Sequence, residues 1–222
     1  MYQNILFDLD GTLTNSELGI TNSVAYALEK FGIEVQDKKE LRVFIGPPLK
    51  YSFEHFYGFS EEESLQAVEY YREYFSEKGL YENEVYKGIR EILSSLKQAD
   101  KKLIVATSKP EKFSTQILKH FDLYDYFDFV AGATMDGSRS KKADVIGYAL
   151  EKTKIKNLSE TIMVGDREHD IIGAQIQKIE SIGVLYGFGT KEELEKAGAT
   201  FIVKDVCELE NLLLFKKSLR IF

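Results

Sequence analysis

Three short apolar runs along the chain each end in a polar residue: Ile5-Leu6-Phe7 runs into Asp8, Leu103-Ile104-Val105-Ala106 into Thr107, and Ile162-Met163-Val164 into Gly165-Asp166. Apolar runs of this length without polar alternation are the pattern of strands buried on both faces, as in a parallel sheet. Between and after them apolar positions recur at helical spacing. Ile89, Ile92, Leu93 and Leu96 share one face, as do Val145, Ile146, Ala149 and Leu150. Strands alternating with such helices imply βαβ units. Further strands are expected at 127–131, 181–185 and 200–203, and a helix from Asp205 bearing Leu209, Leu212 and Leu213 closes the pattern. The fold class is therefore α/β, with a doubly wound, Rossmann-like parallel sheet. Ligands of such sheets bind beyond the carboxyl ends of the strands, where Asp8, Thr107 and Asp166 would stand together.

Residues 15–84 read differently, with helical stretches and no convincing strand. Ile20, Val24, Leu28 and Phe31 lie on one face; Leu65, Val68, Tyr71 and Phe75 define a second helix that stops at Gly79, and Gly46-Pro47-Pro48 breaks the chain between shorter helices. Capping boxes are expected at Thr14-Asn-Ser-Glu17, Ser60-Glu-Glu-Glu63, Ser108-Lys-Pro-Glu111 and Thr190-Lys-Glu-Glu193, with Pro110 at the first position of its helix. The expected organisation is a core of residues 1–14 and 85–222, with residues 15–84 as an all-helical insert directly after the first strand.

Composition narrows the function. The chain has 222 residues, 44% of them hydrophobic, enough for a real core, and no apolar stretch of about 18 residues that would span a membrane. The start has no basic region followed by a long apolar one, so no signal peptide is expected and the location is expected to be cytoplasmic. A net charge of −7 repels polyanions, which argues against nucleic acid and anionic membranes as partners, while a local cluster of cations and N–H groups could still bind a small anion. The single cysteine, Cys207, excludes an internal disulfide.

The chemistry concentrates in four places. In Phe7-Asp8-Leu9-Asp10-Gly11-Thr12-Leu13-Thr14 two carboxylates stand two residues apart at a strand end. One can attack phosphorus to form an acyl phosphate, and the second can supply and remove a proton. Acids this close repel each other unless a cation lies between them, and hard oxygen ligands suit Mg²⁺. An Asp-Gly pair alone is an ordinary turn; the whole string after an apolar run is not. Gly165-Asp166 and Asp170 put two more carboxylates on one side of a helix start, able to hold a metal or merely to cap the helix. Thr107 and Ser108 offer hydroxyls and N–H groups at another helix start, a ready phosphate cradle in which Ser108 could equally be only the cap. Arg139-Ser140-Lys141-Lys142 brings cations to a helix N-terminus, against the macrodipole, either to face carboxylates and phosphate or as a solvated basic turn.

These motifs, in this order, resemble the haloacid dehalogenase superfamily, specifically its phosphatases with a helical cap after the first motif. Phe44-Ile45-Gly46-Pro47-Pro48-Leu49 is similar to the cap turn of the phosphoglycolate phosphatase group. The resemblance implies Asp8 as nucleophile and Asp10 as acid and base that also gives a backbone oxygen to Mg²⁺. It implies Thr107 as a phosphate ligand, Asp166 as the direct carboxylate ligand of the metal and Asp170 as its second-shell or water-mediated partner. The sequence has no Lys-Pro pair at the third motif, so Lys142 is favoured for the site while Lys141 stays open. Lys87-Gly88 replaces the Pro-Gly of many relatives. The expected activity is Mg²⁺-dependent hydrolysis of a small phosphorylated metabolite through an aspartyl phosphate, phosphoglycolate first, with a nucleoside 5'-monophosphate or a sugar phosphomutase reaction as alternatives. A monomer or homodimer is expected. Eight of the 13 tyrosines fall between Asn15 and Lys87, and most are expected in the core of the helical insert.

Overall fold

The computed structural model describes residues 2–215, so Met1 and residues 216–222 of the expected core lie outside the described residues. In chain order the strands are β1 (Asn4–Phe7), β2 (Thr14–Asn15), β3 (Glu84–Val85), β4 (Lys102–Pro110), β5 (Phe129–Ala133), β6 (Thr161–Gly165), β7 (Glu180–Val184) and β8 (Phe201–Val203). The helices are α1 (Glu17–Lys30), α2 (Leu49–Tyr57), α3 (Glu61–Tyr74), α4 (Ile89–Gln98), α5 (Glu111–His120), α6 (Lys142–Lys152), α7 (Glu168–Ile176), α8 (Lys191–Lys196) and α9 (Val206–Phe215). Residues Asn15–Glu84 form one compact unit and the rest of the described chain another.

Six parallel strands make one sheet in the order β5-β4-β1-β6-β7-β8. Ile5, Leu6 and Phe7 of β1 are fully buried, as a central strand covered by helices on both faces requires. The chain builds outward from β1 through β4 to β5, then returns to β6 on the other side of β1 and continues to β7 and β8. That reversal beside β1 is the switch point at which the carboxyl ends of neighbouring strands leave a crevice. Phe7 is level with Val105 of β4 and Val164 of β6, so Asp8, Thr107 and Asp166 all lie within two residues beyond that level.

Local signals were overridden in several places. Ser60 does form a capping box with Glu63. Thr14 does not: it is drawn into β2, and the N-cap of α1 is Ser16, without a side-chain bond. Ser108 likewise belongs to β4, and α5 starts one residue later than expected, with Pro110 as its N-cap and no side-chain cap. Thr190 caps α8 through Glu193 N–H, but the Glu193 carboxylate turns to Arg167 instead of closing the box. For Glu193 the tertiary partner Arg167 offered the carboxylate more than the local turn did, whereas Thr14 and Ser108 were taken up by strand pairing of their backbone. No helix among the described residues is long and apolar enough to cross a membrane.

Within residues 15–84, α1 buries Ile20, Val24, Ala27 and Leu28, and a 3₁₀ stretch at Lys38–Phe44 adds Leu41 and Phe44. Leu65 is exposed, contrary to the expected face of α3, which instead buries Ser64, Ala67, Val68 and Tyr71. Of the seven tyrosines in the stretch, Tyr71 alone is buried; the rest are half-buried or exposed, as is Tyr86 just beyond it, so they are not the core of the unit. The α3 helix ends in a π-helical turn at Phe75–Gly79 whose backbone lies against α1: a Cβ on Gly19 would fall 2.0 Å from Gly79 O. Replacing glycine by alanine inside a helix ordinarily stabilises by about 0.5–1 kcal/mol. Here the overlap with a carbonyl reverses the sign, so Gly19→Ala is expected to lower the midpoint of thermal unfolding, and an unchanged or raised midpoint would show that the α1 crossing is not this tight.

Candidate active site

The site is built from the ends of three strands and the starts of two helices. Asp8 follows β1, and its N–H continues the sheet by donating to Val164 O at 2.9 Å. Asp166 follows β6, and Asp170 lies in the first turn of α7. Carboxylate oxygens of Asp8, Asp166 and Asp170 lie within 4.8 Å of one another, and all three residues are buried. Lys142, the first residue of α6, reaches into this group. Its Nζ is 2.8 Å from Asp8 Oδ1 and 2.7 Å from Asp170 Oδ1, and it donates to Ala106 O at 3.2 Å.

Lys141 is the exposed, extended N-cap residue of α6 and stands outside the group that Lys142 enters. Arg139 also turns away: its Nε donates to Gly132 O at 2.9 Å and its guanidinium lies 3.6 Å over the Tyr148 ring. Thr107 is buried; its hydroxyl lowers the pKa of Asp8 and accepts from Lys109 N–H at 3.3 Å. Ser108 is a half-buried residue of β4. Asp10 is not one of the three clustered carboxylates; its Oδ2 lies 3.0 Å from Lys109 Nζ.

Two of the three clustered carboxylates are oriented by a backbone N–H. Asp166 Oδ2 accepts from Phe188 N–H at 2.8 Å, while its Oδ1 is buried without a hydrogen-bond partner. Gly11, at φ +82°, and Gly187 pack so closely on Asp166 that a Cβ on either would fall within 2.4 Å of its side chain. Asp170 Oδ2 accepts from Arg167 N–H at 3.1 Å, so both of its oxygens have a positive neighbour. The Tyr186 hydroxyl donates to Thr12 O at 3.1 Å and ties the loop after β7 to the turn after Asp10. Sequence reading missed Lys109 and this loop; the dense Tyr186-Gly-Phe-Gly189 string directly after a strand was the available signal.

Burial raises the pKa of Asp8, Lys142 pulls it back, and the charge of Asp170 adds to the rise. Burial, then Asp170 and Asp8, hold Asp166 well above the usual carboxylate range. Burial works against the Lys142 charge, yet Asp170 and Asp8 outweigh it and its pKa is raised. Three buried carboxylates thus face one ammonium, and the unpartnered Asp166 oxygen points to a second cation. All-oxygen donors of this hardness fit Mg²⁺. His169 is half-buried, its pKa lowered by burial, and it is not among the clustered groups.

The haloacid dehalogenase-like hydrolase family model matches residues 5–184. The chain is 43% identical to a 5'-nucleotidase of Pseudomonas aeruginosa over 96% of each chain. It is 27% identical to a phosphoglycolate phosphatase of Vibrio parahaemolyticus, over 92% of this chain and 93% of that one. Among solved structures it resembles a protein described as a predicted phosphatase from Clostridium acetobutylicum, with 54% identity, a TM-score of 0.94, and coverage of 96% of this chain and 99% of that one. The chain belongs to the haloacid dehalogenase-like hydrolase family, where it stands among the phosphatases, the phosphoric monoester hydrolases.

Proposed function

We propose that this enzyme is a Mg²⁺-dependent phosphatase that hydrolyses small phosphate monoesters through an aspartyl phosphate on Asp8. The observation that carries the reading is the buried group of Asp8, Asp166 and Asp170 spanned by Lys142. An Asp8 oxygen attacks phosphorus as the ester P–O bond breaks, and Asp10 gives its proton to the leaving alcohol. Water then attacks phosphorus and passes a proton to Asp10, releasing phosphate and regenerating Asp8. Lys142 and the Thr107 hydroxyl orient Asp8 and offset charge on the phosphoryl oxygens. Asp8, Asp166 and the backbone of Asp10 would hold Mg²⁺ directly, with Asp170 in its second shell; the bound ion supplies further charge neutralisation at the phosphoryl group. Residues 15–84 take the role that the resemblance gives them, a cap that selects the leaving group.

Nucleoside 5'-monophosphates are the substrate class we favour, because the nucleotidase relative is 43% identical whereas the phosphoglycolate phosphatase is 27% identical. Phosphate release from a panel of nucleoside monophosphates, phosphoglycolate and sugar phosphates tests this, and a preference for phosphoglycolate would overturn the substrate assignment.

Asp8→Asn is expected to abolish turnover on every ester while leaving the circular dichroism spectrum unchanged; retained turnover would remove Asp8 as nucleophile. Lys142→Met is expected to lower kcat by on the order of 10² to 10³, and Lys141→Met to stay near wild type, since a solvated charge contributes little. The reverse order would place the wrong lysine in the site. Asp166→Ala is expected to weaken Mg²⁺ binding far more than Asp170→Ala, as read by calorimetric titration of the metal alone. Equal affinities in the two variants would contradict direct ligation by Asp166.

A further inference from the structure

We infer that Lys109 is a positioning residue for the hydrolysis: its ammonium holds one oxygen of the Asp10 carboxylate so that the other is presented for proton transfer. The inference rests on the phosphatase reading and concerns a residue that none of the motifs above assigns to the site. Lys109 Nζ is 3.0 Å from Asp10 Oδ2, and the side chains are 6% and 11% exposed, so this is a buried pair rather than a surface one. Asp10 Oδ1 is also buried and has no hydrogen-bond partner. A carboxylate tied by one oxygen and open at the other has one way to face a substrate. Asp166 is held by the same device, through Phe188 N–H.

The backbone explains how Lys109 comes to be there. The pairing of β4 with β5 shifts register between Ala106 and Pro110, and such irregularities re-aim side chains at the ends of strands. Within that shift the Lys109 N–H donates to Thr107 Oγ1 at 3.3 Å, while its side chain reaches the turn after β1. One residue thus ties the Thr107 hydroxyl and the Asp10 carboxylate to the same stretch of strand. In the first step the proton on Asp10 goes to the ester oxygen as its bond to phosphorus breaks and the Asp8 oxygen bonds to phosphorus. In the second, a proton of the attacking water goes to Asp10 as the Asp8–phosphorus bond breaks.

The test compares kcat/KM of Lys109→Met on an alkyl phosphate, whose leaving group needs the proton, and on p-nitrophenyl phosphate, whose leaving group does not. The alkyl ester is expected to lose about 10-fold to 10²-fold, up to the lower limit of what a positioned acid contributes because the Asp10 acid itself remains, and the aryl ester little. In an Asp10→Asn background the same substitution is expected to cost nothing further on either ester. Equal losses on both esters, or a loss that persists without the Asp10 carboxylate, would overturn the role. Lys109→Gln, which keeps a donor without the charge, repeats the comparison where the Met variant does not fold. Wild-type protein inactive on both esters would instead sink the phosphatase reading on which the inference stands.

Discussion

The ion pairs of Lys142 with Asp8 and Asp170 are the interaction on which the site depends. Taking a carboxylate out of water costs several kcal/mol even after relaxation, and here three are buried side by side. A lysine at the first position of α6 is disfavoured by the helix macrodipole by only about 0.3–1 kcal/mol, whereas breaking a buried pair typically costs about 3–5 kcal/mol. The pairing wins, and it explains a cation at the wrong end of a helix. It also joins three elements through one side chain: the end of β1, the start of α6 and the start of α7.

The sheet makes that convergence possible. Parallel strands put their carboxyl ends on one edge, and the chain's reversal beside β1 leaves the helices after β4 and β6 on different sides of that strand. Residues separated by more than 150 positions, such as Asp8 and Asp166, then become neighbours without any unusual backbone. What remains is orientation, and the loop after β7 provides part of it: Phe188 N–H takes one oxygen of Asp166, and the absence of a side chain at Gly11 and Gly187 lets backbone close around the rest.

The sequence and the structure diverge where short-range patterns compete with packing. Thr14 and Ser108 have the composition of helix caps, yet both are strand residues. Ser60, itself exposed at a helix start with no strand to join, caps as its pattern suggests. The tyrosines of residues 15–84 have helical spacing, but a phenol tolerates the surface, so spacing alone did not bury them. Asp10 is the subtler case. Its place in the string after β1 marked it for chemistry, while its partner Lys109 lies within a register shift between β4 and β5 that no local pattern reports.

The order of strands and helices, the burial of the runs ending at Phe7, Ala106 and Val164, and the gathering of acids at strand ends were written in the sequence, because apolar periodicity and the rule of parallel sheets act residue by residue. The choice of Lys142 over Lys141, the pairing of Asp10 with Lys109 and the capture of Asp166 by Phe188 N–H belong to the tertiary structure alone. Each depends on where a chain segment more than 20 residues away comes to rest to within about 1 Å, and the short range of a hydrogen bond or buried ion pair makes that distance decisive.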